Sequence, residues 1–165
     1  MLRYLPILLL LLLLGCKPDG PQPLDLNPQQ AQPTLPKLNL LIGNVSVNAE
    51  LAITLQAQIT GMMFRTNLPA DAAMLFPIPQ VGHASFWMKN TPENLDVAFI
   101  GPDGVIQEIQ PLIAGTTNIV ESTSANIQFS LETKAGWFAK QQIKAGTIVT
   151  TDKGSLHKLF FPNQP

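Results

Sequence analysis

Charged side chains are scarce in this 165-residue sequence, so those beside apolar runs are the first candidates for chemistry. Arg65 directly follows the apolar run 62–64. A guanidinium next to core residues can hold a carboxylate or a phosphate by two parallel hydrogen bonds. The alternative is an internal salt bridge with Asp96 or Asp71, because a buried charge is usually paired.

A second group of polar side chains, Lys89, Asn90 and Thr91, stands between an apolar run and Pro92. Together they offer an ammonium, an amide and a hydroxyl at the end of a strand, where binding sites are common. They would suit a small anionic or polyhydroxylated ligand. In the alternative, Asn90 and Thr91 bond their own backbone and only shape the turn.

Asp96 completes the candidate ligand-binding set, which we expect to be Arg65, Lys89, Asn90, Thr91 and Asp96. If Asp96 lay near Lys89 with a raised pKa, it could serve acid–base catalysis in a hydrolase or a transferase. The sequence alone does not identify a catalytic residue. Binding without catalysis is therefore the leading interpretation, and an enzyme that uses Arg65, Lys89 and Asp96 is the alternative.

Residue counts and spacing disfavour several other kinds of site. His83 and His157 are far apart and lack His or Cys at metal-ligand spacing, so we expect no metal and no other cofactor. Ser85, His83 and Asp96 contain the groups of a hydrolytic triad, but the sequence has no GxSxG motif. The single cysteine excludes an internal disulfide, and a net charge of −1 gives no basic surface for nucleic acid.

Two stretches of the sequence predict short helices that help to position these side chains. Thr54 is a typical N-cap for a helix over residues 55–60, which Gly61 would end. Residues 135–143 are followed by a basic turn and a glycine, the usual pattern at the C-terminus of a helix.

The remaining apolar runs predict strands. Residues 74–76 and 84–88 indicate two short buried strands, because Pro77 and Pro79 interrupt the run between them. Residues 127–131 alternate between apolar and polar side chains, as a half-buried strand does. Two hairpins complete the pattern, with strands over 97–100 and 105–109, and over 148–151 and 156–161.

The predicted elements indicate an α+β, mainly β fold over residues 38–161. We expect one compact domain, built as a partly closed barrel or sandwich of short antiparallel strands with about two short helices. Residues 162–165 would form a short tail. The sequence has no repeat with a period of about 20–50 residues, which excludes a repeat protein.

The N-terminal residues resemble the export signal of a bacterial lipoprotein. Arg3 precedes an apolar run over residues 5–14 that is too short to span a membrane. This run accounts for the positive mean hydropathy of +0.17. Residues 13–16, Leu-Leu-Gly-Cys, are similar to a lipobox that ends at Cys16.

The lipobox resemblance implies that residues 1–15 are removed and that Cys16 carries lipid in the bacterial cell envelope. Lys17 favours the periplasmic face of the outer membrane over the inner membrane. Residues 16–37 are rich in proline and glutamine and predict an extended tether. The alternatives are an ordinary cleaved signal with an incidental cysteine, or an uncleaved N-terminal anchor.

Several segments of the predicted domain resemble the family called domain of unknown function 192 (DUF192). They are Gly61-Met62-Met63-Phe64-Arg65, Met74-Leu75-Phe76, Phe86-Trp87-Met88-Lys89-Asn90-Thr91, Leu95-Asp96, Leu131-Glu132-Thr133-Lys134-Ala135-Gly136 and Ile143-Lys144-Ala145-Gly146. Ala73 replaces the usual glycine, and residues 151–165 extend past the usual end. The resemblance implies a small β-rich α+β domain, often exported in bacteria, and it carries no established reaction.

Together, these patterns predict a lipid-anchored cell-envelope domain whose biochemical activity is unknown. Its expected role is noncatalytic binding of a small molecule, a glycan or a protein. The expected partners are the membrane, through Cys16, and a small ligand or an envelope protein, with no nucleic acid.

Overall fold

A computed structural model describes residues 23–164. These residues form ten strands and three short helices. The strands are β1 (Lys37–Ile42), β2 (Val45–Leu51), β3 (Ala73–Gly82), β4 (Ser85–Phe86), β5 (Leu95–Ile100), β6 (Ile106–Leu112), β7 (Val120–Glu121), β8 (Ile127–Lys134), β9 (Val149–Thr151) and β10 (Gly154–Ser155). The helices are α1 (Leu55–Thr60), α2 (Trp137–Lys140) and α3 (Leu156–Phe160).

Eight of the strands form one sheet in the order β10-β9-β1-β2-β3-β8-β5-β6, and β4 pairs with β7 in a separate small sheet. Among the strands of residues 23–164, only β2 and β3 pair in parallel, and α1 lies in the crossover between them. The two ends of the large sheet approach each other, because the Ile106 N–H donates to the Thr147 carbonyl at 2.9 Å. The Val149 N–H likewise donates to the Gly104 carbonyl at 2.8 Å. The predicted partly closed barrel and the mainly β class are confirmed.

The large sheet carries a hydrophobic core on each face. The inner core draws on strands from both ends of the sheet and therefore lies inside its curl; its members include Leu40, Ile42, Leu75, Ile106, Phe129, Leu131, Phe138 and Leu156. The outer core lies on the opposite face; its members include Ala57, Met62, Met74, Phe76, Met88, Val97 and Phe99. Among the described residues, the members of both cores lie between Leu35 and Phe161, so this part of the chain contains two cores of its own.

Helix α1 confirms the prediction made from its capping residues. The Thr54 hydroxyl accepts a hydrogen bond from the Ala57 N–H at 3.1 Å and so satisfies a donor in the first turn. Gly61 ends the helix with a φ of 47°, a conformation that glycine adopts without strain. The helix is fixed over the outer core next to the loop that begins at Gly61.

The hairpin of β5 and β6 is also confirmed, and its turn shows why glycine is needed there. Gly104 has a φ of 81°, and its N–H donates to the Gly101 carbonyl at 3.0 Å. A Cβ atom at Gly104 would lie 2.6 Å from the Val149 carbonyl oxygen. Glycine therefore lets this turn approach the other end of the sheet.

Two predicted elements near the C-terminus differ from the structure. The predicted strand over 156–161 is wrong, because residues 156–160 form helix α3. The Ser155 hydroxyl accepts a hydrogen bond from the Lys158 N–H at 3.3 Å and fixes the start of this helix. Helix α2 is shorter than the predicted 135–143, because Gln142 adopts a φ of 59° that a helix cannot continue through.

Strand β3 is longer than predicted, since it continues through both Pro77 and Pro79. Its parallel partner β2 pairs with it only at Met74 and Leu75. Beyond those residues β3 has a strand neighbour, β8, on one side only. On its open side no ladder hydrogen bond is lost when a proline lacks an N–H. The predicted strand over 84–88 is reduced to the two residues of β4.

The described part of the predicted tether, residues 23–36, lies against the domain. The Asp25 N–H donates to the Gln56 side-chain oxygen at 2.7 Å, and the Gln32 side-chain amide donates to the Gly61 carbonyl at 2.9 Å. These hydrogen bonds fix the segment along α1 and its C-terminal end.

The predicted leader, residues 1–15, and the predicted lipidation site Cys16 lie outside the described residues. Within residues 23–164, no helix has both the length and the apolar character needed to cross a bilayer.

Candidate functional site

Strand β8 places a carboxyl group, that of Glu132, in the outer core. Within the sheet β8 lies between β3 and β5, and Glu132 is paired with Met74 on one side and Val97 on the other. Both of these neighbours belong to the outer core, so Glu132 projects to the same face. Its exposed fraction is 4%.

A small pocket, which we call the Glu132 cavity, adjoins this carboxyl group. Its volume is about 30 Å³, enough for about one water molecule or one small ligand group. The residues that line it are Gln58, Ile59, Thr60, Gly61, Met62, Met63, Phe76, Phe86, Trp87, Thr91 and Glu132. Within residues 23–164 the Glu132 Oε2 atom has no hydrogen-bond partner. A buried polar atom without a partner is rare, because it loses its hydrogen bonds to water without replacing them.

Burial determines the protonation state of Glu132. It raises the pKa of this carboxyl from 4.5 to about 8, although the positive charge of Arg65 acts in the opposite direction. The group is therefore mainly a neutral carboxylic acid at pH 7. In that form its hydroxyl can donate a hydrogen bond, and its carbonyl oxygen can accept one.

A larger opening, which we call the Trp87 groove, shares five lining residues with the Glu132 cavity. Its volume is about 340 Å³. It is lined by Gln58, Ile59, Phe76, Ile78, His83, Ala84, Ser85, Phe86 and Trp87. Phe76 and Phe86 meet edge to face with ring centroids 5.2 Å apart, and Trp87 remains 43% exposed. A mainly apolar groove that adjoins a buried acid is the usual character of a small-molecule site.

The loop that follows α1 is held across the outer face by its backbone. The Phe64 N–H donates to the Asn90 carbonyl at 2.7 Å, and the Leu68 N–H donates to a Glu93 carboxylate oxygen at 2.7 Å. Phe64 and Asn90 both have a positive φ, 61° and 58°, which is uncommon outside glycine. These constraints keep Met62 and Met63 in the wall of the Glu132 cavity.

Arg65 forms the buried salt bridge that the sequence left open, but its partner is Glu50 rather than Asp96 or Asp71. Its two terminal nitrogens lie 2.7 Å and 2.9 Å from the two Glu50 oxygens. Burial alone would raise the pKa of Glu50, but hydrogen bonds from Arg65 and from the Leu35 N–H outweigh it and lower the pKa. Arg65 is thus engaged within the fold.

Lys89, Asn90 and Thr91 lie close together, but they do not point to one site. The Lys89 ammonium donates to the Asn27 side-chain oxygen at 3.0 Å and lies 5.3 Å from the Trp87 ring centroid. Asn90 has a φ of 58°, and its carbonyl accepts a hydrogen bond from the Phe64 N–H of the loop after α1. Thr91 is 4% exposed and lines the Glu132 cavity.

Asp96 lies on the opposite face of the sheet from Glu132. It pairs with Thr133, and its alternating neighbours Ala98 and Ile100 belong to the inner core. Its carboxylate accepts a hydrogen bond from the Gly136 N–H at 2.7 Å. The structure therefore does not bring Asp96 together with Arg65.

The model of the DUF192 family, described as "Uncharacterized ACR", matches residues 39–151. The chain belongs to the DUF192 family. This match contains the strands that carry Glu50, Glu132 and Asp96, together with α1 and the loop after it.

Two solved structures resemble this DUF192 domain. A proposed transcription regulator from Sinorhizobium meliloti 1021 is 24% identical, with a TM-score of 0.68 over 73% of this chain and 98% of that chain. A protein of unknown function from Novosphingobium aromaticivorans DSM 12444 is 28% identical, with a TM-score of 0.66 over 72% of this chain and 89% of that chain. No curated protein matches the chain. The likeness supports the fold and leaves the function of the DUF192 domain uncharacterized.

Sequence reasoning missed Glu132, the residue on which the candidate site of this DUF192 domain depends. In a strand that alternates between apolar and polar residues, an acid is normally assigned to the solvent face. Glu132 is buried because β8 lies in the centre of the sheet.

His83 and Ser85 line the Trp87 groove, but Asp96 lies on the other face and does not complete a triad. Within residues 23–164 no cluster of three or more His, Cys, Asp or Glu could hold a metal ion.

Proposed function

We propose that this DUF192 domain is a lipid-anchored cell-envelope protein that binds a small molecule in the Trp87 groove without transforming it. The ligand would lie along the apolar wall and place a hydrogen-bonding group in the Glu132 cavity. The single observation that supports this proposal is the buried Glu132 carboxyl, whose Oε2 atom has no partner among residues 23–164 and which lines a small cavity that shares five lining residues with an apolar groove.

The chemistry of the acid suggests the class of ligand. A neutral carboxylic acid can donate to a carbonyl, amide or ether oxygen, and aromatic walls favour a flat or aliphatic body. We therefore expect an uncharged molecule with an oxygen acceptor at one end. This proposal replaces the small anionic or polyhydroxylated ligand expected from Lys89, Asn90 and Thr91.

The enzyme alternative has less support from the geometry. A hydrolase or transferase that uses Arg65, Lys89 and Asp96 needs these groups around one substrate. Arg65 is paired with Glu50, and Asp96 lies on the opposite face of the sheet. Binding is supported instead by Glu132 and by the residues that line the Trp87 groove.

The anchoring part of the proposal rests on the lipobox-like residues 13–16. Cys16 would carry the lipid and hold the domain at the periplasmic face of the outer membrane. Labelled palmitate should be incorporated by the wild-type chain and not by the Cys16→Ala variant, which should also leave the membrane fraction. Equal labelling of the two chains would contradict the anchor.

Binding can be tested on a chain that lacks residues 1–22, since both cores lie within the described part. Indole-3-acetamide and tryptamine form a matched pair of probes, because they share a ring and differ in an amide oxygen against an ammonium. We expect isothermal titration calorimetry to show that the amide binds and that the amine does not bind at pH 7. Replacement by Glu132→Met should weaken amide binding about tenfold through loss of one hydrogen bond.

Two matched variants make the binding result specific to the acid. Glu132→Gln keeps a donor and should retain most of the affinity, and Asp96→Asn on the opposite face should change nothing. If indole-3-acetamide and a panel of other neutral carbonyl compounds give no saturable binding signal, the proposed binding role is wrong. Equal affinity of wild type and Glu132→Met would contradict the role given to the acid.

A further inference from the structure

One region of the domain surface carries an unusual density of exposed apolar side chains. We call it the apolar patch and define it as Leu24, Leu26, Ile53, Leu55 and Trp87. Their exposed fractions lie between 43% and 70%. Exposed apolar groups that lie together mark a contact surface more often than isolated ones do.

Hydrogen bonds bring the members of the patch together. Asp25 lies between Leu24 and Leu26, and its N–H donates to the Gln56 side-chain oxygen at 2.7 Å. The same side chain returns a hydrogen bond to the Asp25 carbonyl at 3.1 Å. This places both leucines beside the N-terminus of α1, where Ile53 and Leu55 are exposed.

A second connection joins this segment to Trp87. The Asn27 side-chain oxygen accepts a hydrogen bond from the Lys89 ammonium at 3.0 Å, and that ammonium lies 5.3 Å from the Trp87 ring centroid. Residues 24–27 therefore run from the start of α1 to the rim of the Trp87 groove. The Asp25 carboxylate accepts from the Asn27 N–H at 2.8 Å within the same segment.

The position of the patch in the chain points to its partner. Only six residues separate Cys16 from Pro23, the first described residue. Seven peptide steps span at most about 25 Å even when fully extended. A lipid on Cys16 would thus hold this side of the domain near the bilayer, and the full predicted tether over 16–37 would have allowed far greater separation.

We propose that the apolar patch docks onto the lipid bilayer in which the chain is anchored, an inference that rests on the anchoring part of the proposed function. Leucine and isoleucine side chains partition into the acyl region, and tryptophan and lysine favour the boundary between acyl chains and headgroups. The patch offers both kinds of side chain, with Lys89 next to Trp87. In this orientation the Trp87 groove opens at the membrane surface.

The test uses the chain from Cys16 onward, coupled through its only thiol to a maleimide lipid in phosphatidylethanolamine–phosphatidylglycerol vesicles. Chemical coupling makes the result independent of natural lipidation, which the palmitate experiment measures separately. Trp137→Phe leaves Trp87 as the single tryptophan. Vesicles with brominated acyl chains quench tryptophan at the bilayer, and we expect at least about a twofold loss of Trp87 emission relative to unbrominated vesicles.

A matched pair of double variants decides which surface is responsible. Leu26→Ser with Leu55→Ser removes two patch residues that are 70% and 60% exposed. Leu41→Ser with Ile148→Ser removes two exposed apolar residues, 37% and 53%, from the β1–β9 region of the sheet. We expect the first pair to abolish quenching and the second pair to leave it unchanged. Circular dichroism and the unfolding midpoint confirm that each variant folds.

Three results would overturn the inference. Unquenched Trp87 in the coupled wild-type chain would show that the domain stands away from the bilayer. Equal quenching in the two double variants would assign the contact to another surface. A chain with Trp87→Phe, which reports from the buried Trp137, should not be quenched; its quenching would indicate general insertion rather than docking.

Discussion

Two glutamate side chains on the outer face of the sheet, Glu50 and Glu132, are both buried, but within residues 23–164 only Glu50 has hydrogen-bond partners for its carboxyl group. Glu50 accepts two hydrogen bonds from Arg65 and one from the Leu35 N–H. Glu132 has an oxygen without a partner in the described part of the chain. Accordingly the pKa of Glu50 is lowered, and burial raises the pKa of Glu132 to about 8.

The difference teaches that burial of an acid does not by itself indicate a site. At Glu50 the fold supplies the counter-charge, so the ion pair links β2 to the loop after α1 and serves the structure. At Glu132 the described residues supply a small cavity beside an apolar groove, and no hydrogen-bond partner for Oε2. The group that lacks a partner is the one available to a ligand.

The largest expected effect is the loss of the Glu50 partner. Arg65→Met should lower the free energy of unfolding by about 3–5 kcal/mol, because it leaves a buried carboxylate without its counter-charge. Urea denaturation at pH 7 measures the change.

A salt bridge between Lys134 and Glu93 provides the control, with atoms 3.2 Å apart and a lysine that is 39% exposed. Lys134→Met should cost much less than Arg65→Met, because water screens the exposed pair. Similar losses in the two variants would contradict a special structural role for the buried pair.

The next effect concerns pH and separates the two acids most clearly. Since the folded pKa of Glu132 is raised, its contribution to stability is complete below 4.5 and is lost as the pH rises towards about 8. Within this window the wild type should lose roughly 1 kcal/mol of unfolding free energy per pH unit relative to Glu132→Gln. Glu50 has a lowered pKa, so its contribution is lost on the other side, as the pH falls below 4.5.

Urea denaturation of both proteins at several values between pH 5 and pH 8 checks this prediction. Parallel curves for wild type and Glu132→Gln would show that Glu132 is ionised in the folded protein throughout. That result would remove the contrast between the two acids.

The smallest expected effect tests the helix that covers the Glu132 cavity. Thr54→Ala removes the N-cap of α1 and should cost about 1 kcal/mol, and Thr54→Ser should restore most of it. Because α1 contributes Gln58, Ile59 and Thr60 to the cavity, looser packing there should also move the Glu132 pKa towards 4.5. An unchanged Glu132 titration in a destabilised Thr54→Ala chain would argue that α1 does not control the burial of the acid.

The parts of the fold with local signals were predictable from the sequence. Thr54 and Gly61 mark the ends of α1 through their own backbone chemistry, and the turn before β6 depends on Gly104. The segment 156–161 was predicted as a strand, although its apolar residues also suit one face of a short helix. The N-cap hydrogen bond of Ser155 favours the helix. The course of β3 through Pro77 depended on where β2 stops pairing, which is a property of the whole sheet.

The candidate site was less predictable for the same reason. Arg65 was recognised beside the core, but its partner lies in β2, far from it in the sequence. The sequence places Asp96 in one candidate set with Arg65 and Lys89, but strand alternation sends it to the other face of the sheet. Glu132 could be found only by knowing that β8 is flanked by β3 and β5 and covered by α1.

The most direct test of the account is the titration of Glu132 itself. Carbon-13 NMR of the side-chain carboxyl groups, with Glu132→Gln used to assign the signal, reports the ionisation of each glutamate in the folded chain. We expect the Glu132 signal to titrate with a midpoint near 8 and the Glu50 signal to titrate below 4.5. A Glu132 midpoint at or below 4.5 would show a charged, compensated carboxylate and would contradict the proposed role of this acid.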